Sequence, residues 1–297
     1  MTPIQLVATP IGNLGDISHR AVEVLGAATV IACEDTRRTS QLLRHLGIER
    51  PRLVILNDHT ERGVVDRVVQ SAADGERVAL VSDAGMPAIS DPGWLLVNAA
   101  IAAGVGIEVV PGASALLAAL VLSGLPTDRF VFDGFLPRKG SERTTRLADV
   151  AGEQRTTILY EAPHRLERTL ADLGACCGAD RPVAVARELT KLYEEIWRSD
   201  LAGALVWAQE TSPRGEIVIV VGGAVVEDAG SDAVATAVQR ELDAGTSVRD
   251  AADLVAARLN VRRRTVYNIA LQLDGRRGAE AEEGEDPEPL PEPDLGS

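Results

Sequence analysis

The segment Val78–Gly93 constrains the fold of this chain more than any other. It opens with a run of apolar, β-forming residues and stops in a loop where aspartate, glycine and proline fill six positions. An apolar, helix-like stretch then begins at Trp94. This order is typical of a buried parallel strand and its crossover, and ligands of open α/β sheets bind outside the carboxyl ends of such strands. Because an ordinary turn needs only about one or two such residues, the loop favours a ligand site over a simple βα turn.

Five further β-like runs end in loops of the same character. They are Gln5–Thr9, Thr29–Cys33, Ile107–Val110, Thr157–Tyr160 and Val183–Ala186. In each case the unusual residues follow the strand, and parallel strands place such loops at one rim of a sheet. The alternation of strand and helix patterns from residue 4 to about 222 predicts an α/β fold over that whole stretch.

Clusters of helix- and strand-breaking residues predict four parts. They are a first α/β domain (1–123), a second α/β domain (124–226), a helix-turn-helix-like module (227–278) and a disordered acidic tail (279–297). In the third part Ser247 is placed to cap a helix, and the basic run Arg262–Arg264 begins the next one. Two short helices with a basic start favour nucleic-acid contact, with a small helical cap over apolar surface as the alternative.

Composition narrows the class of protein. No apolar run approaches the roughly 18 residues that span a membrane, and no basic-then-apolar leader opens the chain, so we expect a cytoplasmic protein without a membrane partner. The three cysteines and four histidines lack metal-ligand spacing, which predicts free thiols and no bound metal. The net charge is −14, but the eight acids of residues 279–297 account for more than half of it, and the remaining 36 acids and 30 bases give −6. Many of those bases fall in the predicted rim loops, where they either hold an anionic polymer or are ordinary surface charges.

Several ordered motifs resemble the tetrapyrrole-methylase superfamily. They are Thr9–Ser18, Cys33–Arg37, Ser82–Pro87 with Ser90–Gly93, and Val110–Ala115. Three more motifs resemble the bacterial branch of that superfamily that methylates small-subunit ribosomal RNA, and these are Gly134–Gly140, Tyr160–Arg165 and Ala186–Lys191. The resemblance covers roughly residues 4–275 and leaves the acidic tail outside.

The resemblance implies a fold, a cofactor and a reaction. The fold is two α/β domains of the tetrapyrrole-methylase type, with S-adenosyl-L-methionine in the cleft between them, usually in a homodimer. The reaction is transfer of a methyl group to the ribose 2′-hydroxyl of a cytidine in the decoding region of 16S rRNA, presented by the small ribosomal subunit. Two alternatives stay open, namely a methyltransferase acting on a small tetrapyrrole and a non-catalytic, cofactor-sensing RNA-binding protein.

The resemblance also assigns cofactor-binding residues by motif. They are Pro10, Asp83, Met86, Ser114, Ala115, Tyr160, Glu188 and Gly215 or Glu216. Gly85 and Gly112 would let the main chain approach adenosine, and the Asp83 carboxylate would hold a cationic or hydroxyl group. The helix that opens after Ser114 offers free amides and a positive dipole end to the methionine carboxylate, unless Ser114 is only an N-cap.

Catalysis at a ribose hydroxyl needs alignment of donor and acceptor and benefits from a general base. Glu188, His164 and Asp35 are the candidates for that base. Lys191 or Arg37 would hold the neighbouring phosphate or lower the pKa of the hydroxyl, and the sequence does not choose among these groups. The residues expected to meet RNA phosphates are Arg37, Arg138, Lys139, Arg165, Arg262, Arg263 and Arg264.

Overall fold

The computed structural model describes residues 2–49, 51–57, 60–225, 231–259, 261 and 263–283. The chain divides into two compact units, Met1–Ala224 and Val225–Ser297. Within the described residues, no helix is both long and apolar enough to cross a membrane.

A fully parallel sheet forms the first half of the larger unit. Its strands are β1 (Ile4–Val7), β2 (Val30–Cys33), β3 (Arg52–Ile55), β4 (Val78–Val81) and β5 (Ile107–Val110), in the order β3-β2-β4-β1-β5. The helices are α1 (His19–Ala27), α2 (Thr36–His45), α3 (Glu61–Ala73), α4 (Trp94–Ala102) and α5 (Ala115–Ser123). Alternate strand residues pack against α1 and α2 on one face and against α3 and α4 on the other, which explains the continuously apolar central strands.

The second half of this unit holds a mixed sheet, not the parallel sheet that the loop pattern alone suggests. Its strands are β6 (Phe130–Phe135), β7 (Thr156–Glu161), β8 (Pro182–Arg187), β9 (Glu195–Asp200) and β10 (Ile217–Val221), in the order β6-β7-β10-β8-β9. The pair β6–β7 is parallel, and the pairs β7–β10, β10–β8 and β8–β9 are antiparallel. Strands β6, β7 and β8 therefore point the same way, and the loops after them share one rim with the start of β10.

Helix α5 joins the two sheets. Its buried residues Ala119 and Leu120 pack in one cluster with Ile158 and Val218 of the second sheet. The opposite face of that sheet is covered by α6 (Ser141–Gly152), α7 (Leu166–Cys177) and α8 (Leu201–Thr211). Helix α5 ends at Ser123 and is followed by Gly124, a C-cap residue in the left-handed conformation (φ +76°). Gly124 lies at the predicted domain boundary. Thus α5 belongs to the first domain by sequence and to the domain interface by packing.

The described residues of the smaller unit form three helices, where the sequence predicts two or three: α9 (Ser231–Asp243), α10 (Val248–Leu259) and α11 (Arg263–Glu283). Ser247 caps α10 as expected, because its Oγ accepts the N–H of Asp250 at 3.2 Å. Helix α11 continues five residues past Gly278, where the sequence predicts the acidic tail to begin. Residues 284–297 of that tail, and Arg262, lie outside the described residues.

Candidate active site

A cavity of about 690 Å³ opens where loops of the first sheet face the rim of the second. The first sheet contributes residues of the loops after β1 and β4, together with one face of α2. The second sheet contributes Lys191, from the loop after β8, and Glu216, just before β10. The volume lies within the range of pockets that enclose small ligands. The predicted site residues Pro10, Asp83 and Lys191 therefore line one cavity.

Asp83 presents a carboxylate to this cavity from the end of β4. Its Oδ1 accepts the backbone N–H of Asp35 at 3.2 Å, and its Oδ2 lies 3.5 Å from Nε of Arg38. Burial raises the pKa of Asp83, while Arg38 and the N–H of Asp35 oppose that rise. The net pKa stays above the ordinary value, which is common for carboxylates in functional clefts.

The loop after β4 is held in an uncommon backbone conformation. Ala88 and Ser90 have left-handed φ values of 69° and 59°, which cost energy in residues other than glycine. The same loop forms a two-residue bridge with the first loop, because Thr9 and Gly85 exchange backbone hydrogen bonds of 2.9 and 3.1 Å. A side chain at Gly85 would sit 3.6 Å from the carbonyl oxygen of Ala113. The loops after β1, β4 and β5 therefore meet, as their sequences predict.

The N-terminus of α5 lies beside this meeting point. Ser114 occupies the N-cap position, but its side chain makes no capping hydrogen bond, so the simple N-cap interpretation is wrong. The phenol of Tyr160 interacts instead with the backbone N–H of Leu116. Burial raises the pKa of Tyr160 to about 12, so its hydroxyl stays protonated at physiological pH. Ala115 and the half-buried Met86 do not line the cavity itself, and their contact with the cofactor stays a prediction.

The loop after β8 contacts the loop after β1 of the first domain. A Cβ added at Gly12 would collide with the side chain of Lys191 and lie 2.9 Å from Oγ1 of Thr190. The backbone N–H of Asn13 donates to the same Oγ1 at 3.1 Å. Glu188 and Thr190 adopt left-handed φ values of 50° and 66°. The loop is therefore strained where it touches the first domain, and strain of this kind concentrates at functional sites.

Glu188 folds back onto the segment that precedes β10. Its Oε1 accepts the backbone N–H of Glu216 at 2.9 Å and lies 2.9 Å from Nζ of Lys191. A Cβ at Gly215, where φ is +95°, would overlap the Glu188 carboxyl group. Gly215 therefore leaves room for the Glu188 side chain. This role differs from the predicted one, in which the glycine would bind the cofactor. The hydrogen bond from Lys191 holds the pKa of Glu188 below its ordinary value, which makes this carboxylate a weak base.

Lys191 places a cation in the cavity. Its Nζ lies 2.9 Å from Glu188 and 3.1 Å from Oε2 of Glu216. Burial lowers the pKa of Lys191, but the two carboxylates outweigh it, and the net pKa is raised. The side chain stays protonated at neutral pH, so it serves as a hydrogen-bond donor and a positive charge.

The other two candidates for the base lie elsewhere. Asp35 pairs with Arg37, whose Nε and Nη2 donate at 3.2 and 2.8 Å, and this pairing lowers the pKa of Asp35 to about 2. His164 lines a second, smaller pocket together with Arg138 and Arg165. Neither Asp35, His164 nor Glu188 lines the main cavity, so the structure gives none of the three direct access to a substrate there.

The predicted RNA-contact residues fall into separate groups. Arg37 is largely exposed, and Lys139 is exposed beside the second pocket's Arg138. In the smaller unit Arg263 is bound to Asp253 and stacks 5.8 Å from the ring of Tyr267, while Arg264 is exposed. These assignments stay predictions.

One face of α2 belongs to the cavity and was not predicted from the sequence. Six residues of α2 line the cavity, and four of them have the spacing of a single helix face: Arg38, Gln41, Leu42 and His45, flanked by Thr39 and Arg44. The motif that ends at Arg37 runs directly into this face. This periodicity is the feature of the sequence that could have predicted the cavity residues of α2, because a polar helix face that follows a rim loop points into the same crevice.

The sequence of the larger unit is similar to that of known proteins. Residues 3–204 match the model of a family described as tetrapyrrole (corrin/porphyrin) methylases. The chain therefore belongs to the tetrapyrrole methylase family. This membership confirms the predicted enzyme class, a methyltransferase whose methyl donor is S-adenosylmethionine.

More specific similarity covers nearly the whole chain. Two curated relatives named ribosomal RNA small subunit methyltransferase I are 44% identical (Synechocystis, 91% of this chain and 98% of the relative) and 45% identical (Pseudomonas aeruginosa, 91% and 97%). Residues 229–274 match a model described as the RsmI C-terminal HTH domain.

Solved structures share the fold of the larger unit. The methyltransferase CobJ is 23% identical with a TM-score of 0.57, covering 75% of this chain and 95% of its own. A uroporphyrin-III C-methyl transferase from Thermus thermophilus, complexed with S-adenyl homocysteine, is 20% identical with a TM-score of 0.53, covering 74% and 97%. About a quarter of this chain, the share of the C-terminal unit, is left uncovered.

Proposed function

We propose that this protein methylates the ribosomal RNA of the small subunit, at the ribose 2′-hydroxyl of a cytidine in the decoding region. The observation that carries the proposal is the combination, in one chain, of a methylase cavity with a C-terminal unit that matches a helix-turn-helix domain. Relatives that align over more than nine-tenths of this chain carry the name of a ribosomal RNA methyltransferase.

The residues present fit S-adenosylmethionine. The Asp83 carboxylate suits the ammonium or ribose hydroxyls of this molecule, and the N-terminus of α5, which lacks a side-chain cap at Ser114, suits its carboxylate. Gly85 lies close to Asp83 in the same loop, where it packs against Ile11 and Ala113 and pairs with Thr9, so its contribution is to hold the loops that carry the cavity residues. When bound, the cofactor supplies an electrophilic methyl group on a sulfonium.

The polar groups of the cavity suit a ribose hydroxyl beside a phosphate. Lys191 offers a protonated amine next to the predicted cofactor residues Pro10 and Asp83. A cation at this place lowers the pKa of a nearby hydroxyl and stabilises negative charge that develops on its oxygen. This role agrees with the raised pKa of Lys191 better than proton abstraction does.

We also expect the protein to form a homodimer. Helix α5 is apolar on nearly all sides, and the face turned away from the second sheet exposes Leu117 and Val121, the latter by 72%. The neighbouring edge strand β5 exposes Val109 by 50%. Exposed apolar side chains on a helix and on an edge strand are typical of interfaces between copies, and a second copy of this chain is the occupant we propose.

The test compares acceptors directly. The protein is incubated with tritium-labelled S-adenosylmethionine and, in separate reactions, small ribosomal subunits lacking the modification, naked 16S rRNA, or a uroporphyrin-type tetrapyrrole. Transfer to the ribosomal acceptors alone is the expected result. Transfer to the tetrapyrrole instead would overturn the proposal, and so would tight cofactor binding without transfer to any acceptor.

A further inference from the structure

A second pocket, of about 280 Å³, lies on the rim of the second sheet and is strongly basic. Its lining consists of four arginines and one histidine: Arg138, Arg143, His164, Arg165 and Arg168. Within the described residues, two carboxylates, Asp172 and Glu161, pair with these side chains. Four arginines against two acids leave a local excess of positive charge.

The pocket is built from the loops after two adjacent strands and from the helices α6 and α7 that follow them, which carry Arg143 and Arg168. Arg138 belongs to the loop after β6, and His164 and Arg165 belong to the loop after β7. Because β6 and β7 are parallel neighbours, their carboxyl ends lie side by side. The motifs Gly134–Gly140 and Tyr160–Arg165, which are far apart in the sequence, therefore meet here.

Two of the arginines fix the pocket in place. Arg143 is only 5% exposed and donates to Asp172, to Thr169 and, at 3.0 Å, to the carbonyl oxygen of Pro137. Arg165 donates to the carbonyl oxygen of Leu136 at 2.6 Å and pairs with the buried Glu161. Both residues thus hold the backbone just before Arg138. They act as positioning residues, since Arg143 uses most of its donors within the protein and Arg165 directs its Nε at Glu161 and its Nη2 at Leu136.

The remaining three side chains can serve a ligand. Arg138, His164 and Arg168 are exposed, and Arg168 approaches Asp172 only to 3.7 Å. Guanidinium groups bind phosphate oxygens with two parallel hydrogen bonds. The pocket is smaller than the usual range for drug-sized ligands, and apart from His164 its lining has no aromatic ring on which a base would stack. These properties suit one phosphodiester of a nucleic-acid backbone.

The second pocket lies on the same rim of the second sheet as Lys191 of the main cavity. Lys191 follows β8, which is two strand positions from β7 and three from β6. At roughly 4.8 Å per strand, the ends of β7 and β6 are about 10–15 Å from the end of β8 along one rim. A short stretch of single-stranded RNA can span that separation.

We propose that this pocket binds a backbone phosphate of the RNA substrate close to the methylated nucleotide, with Arg138, His164 and Arg168 as its ligands. The proposal rests on the proposed function for the identity of the RNA. It also gives His164 a role in phosphate binding, in place of the general-base role that the sequence suggested.

The test uses two matched double variants. R138Q/R168Q removes two charges from the pocket, and R129Q/R155Q removes two exposed charges that precede the same strands β6 and β7, at the opposite end of the sheet. Binding of a fluorescent oligoribonucleotide with the target sequence is measured over a range of KCl concentrations. We expect the pocket variant to lose roughly tenfold in affinity at low salt and to reduce the log–log salt slope by about 0.7 or more. The control variant is expected to match the wild type, and thermal unfolding checks that all three proteins fold.

Two outcomes would contradict the phosphate-binding role of the pocket without bearing on the methylation reaction. Equal affinities and slopes for the two double variants would overturn it. Stabilisation of the wild type by inorganic phosphate that R138Q/R168Q loses, with no change in RNA binding, would also overturn it by showing a free-anion site. Conversely, a reduced slope in the pocket variant, with no methyl transfer by the wild type, would support the pocket and contradict the proposed function.

Discussion

Nε of Arg38 lies 3.5 Å from Oδ2 of Asp83, and the two side chains come from the loops and helix that follow adjacent parallel strands, β2 and β4. Arg38 opposes the effect of burial on Asp83, but the pKa of the carboxyl group still lies above its ordinary value. The first sheet thereby presents a partly buried carboxylate that is costly to ionise and suited to a cationic ligand.

Asp83→Asn is expected to weaken S-adenosylmethionine binding. Loss of a charged hydrogen-bond partner typically costs about 1.5–3 kcal/mol, or roughly 10- to 100-fold in affinity, measured by calorimetry. Asp74→Asn, at the end of α3, is the matched control. An unchanged affinity in Asp83→Asn would remove this residue from the cofactor site.

The raised pKa of Asp83 predicts a pH effect with a definite sign. Because the folded-state pKa exceeds the unfolded value, stability falls as pH rises from the unfolded pKa through the folded one. Asp83→Asn removes this penalty and is expected to raise the melting temperature of the cofactor-free protein at neutral pH. Cofactor affinity of the wild type should fall on acidification at a higher pH than an ordinary aspartate would give. Identical melting temperatures and pH profiles for wild type and variant would contradict both expectations.

Lys191→Gln is expected to reduce kcat by about 100-fold or more, as for loss of one donor that stabilises developing oxyanion charge. The affinity for S-adenosylmethionine should change little. Lys191→Arg keeps the charge and should recover part of the rate. A variant Lys191→Gln with normal kcat would exclude the cation from the chemical step.

Gly215→Ala tests the contact between Gly215 and Glu188. Gly75 is the matched control, because its φ of +93° equals that of Gly215 (+95°) while no atom lies within 4 Å of its added Cβ. Backbone strain alone costs about 1–2 kcal/mol at either position. Only Gly215→Ala should lose further stability in denaturant unfolding and also lower kcat, since it displaces Glu188 from Lys191. Equal losses in the two variants would show that the contact contributes nothing.

Val121→Asp tests the proposed dimer. The substitution places a charge on the exposed apolar face of α5, whereas Val206→Asp does the same on α8, where the valine is 52% exposed. In sedimentation equilibrium we expect dimers for the wild type and for Val206→Asp, and monomers for Val121→Asp. A monomeric wild type at micromolar concentrations would contradict the proposed interface.

The sequence predicted the strands that carry rim loops, because each combines an apolar run with a cluster of breakers. It did not indicate β9, an exposed edge strand whose side chains are mostly charged or half-buried, and so it missed the mixed character of the second sheet. Motif order predicted Pro10 and Asp83 as cavity residues. Motif order did not show that His164 lies outside the main cavity. Only the strand order β6-β7-β10-β8-β9 shows that the loop after β7 is closer to Arg138 than it is to Lys191. Spacing along a chain cannot supply that order.

The position of the transferred methyl group tests the proposed ribose methylation most directly. Small ribosomal subunits lacking the modification are treated with the protein and labelled S-adenosylmethionine, and the label is mapped by nuclease digestion and mass spectrometry of the 16S rRNA. We predict label on the ribose 2′-oxygen of one cytidine in the decoding region. Label on a base, or no transfer while the cofactor still binds, would contradict it.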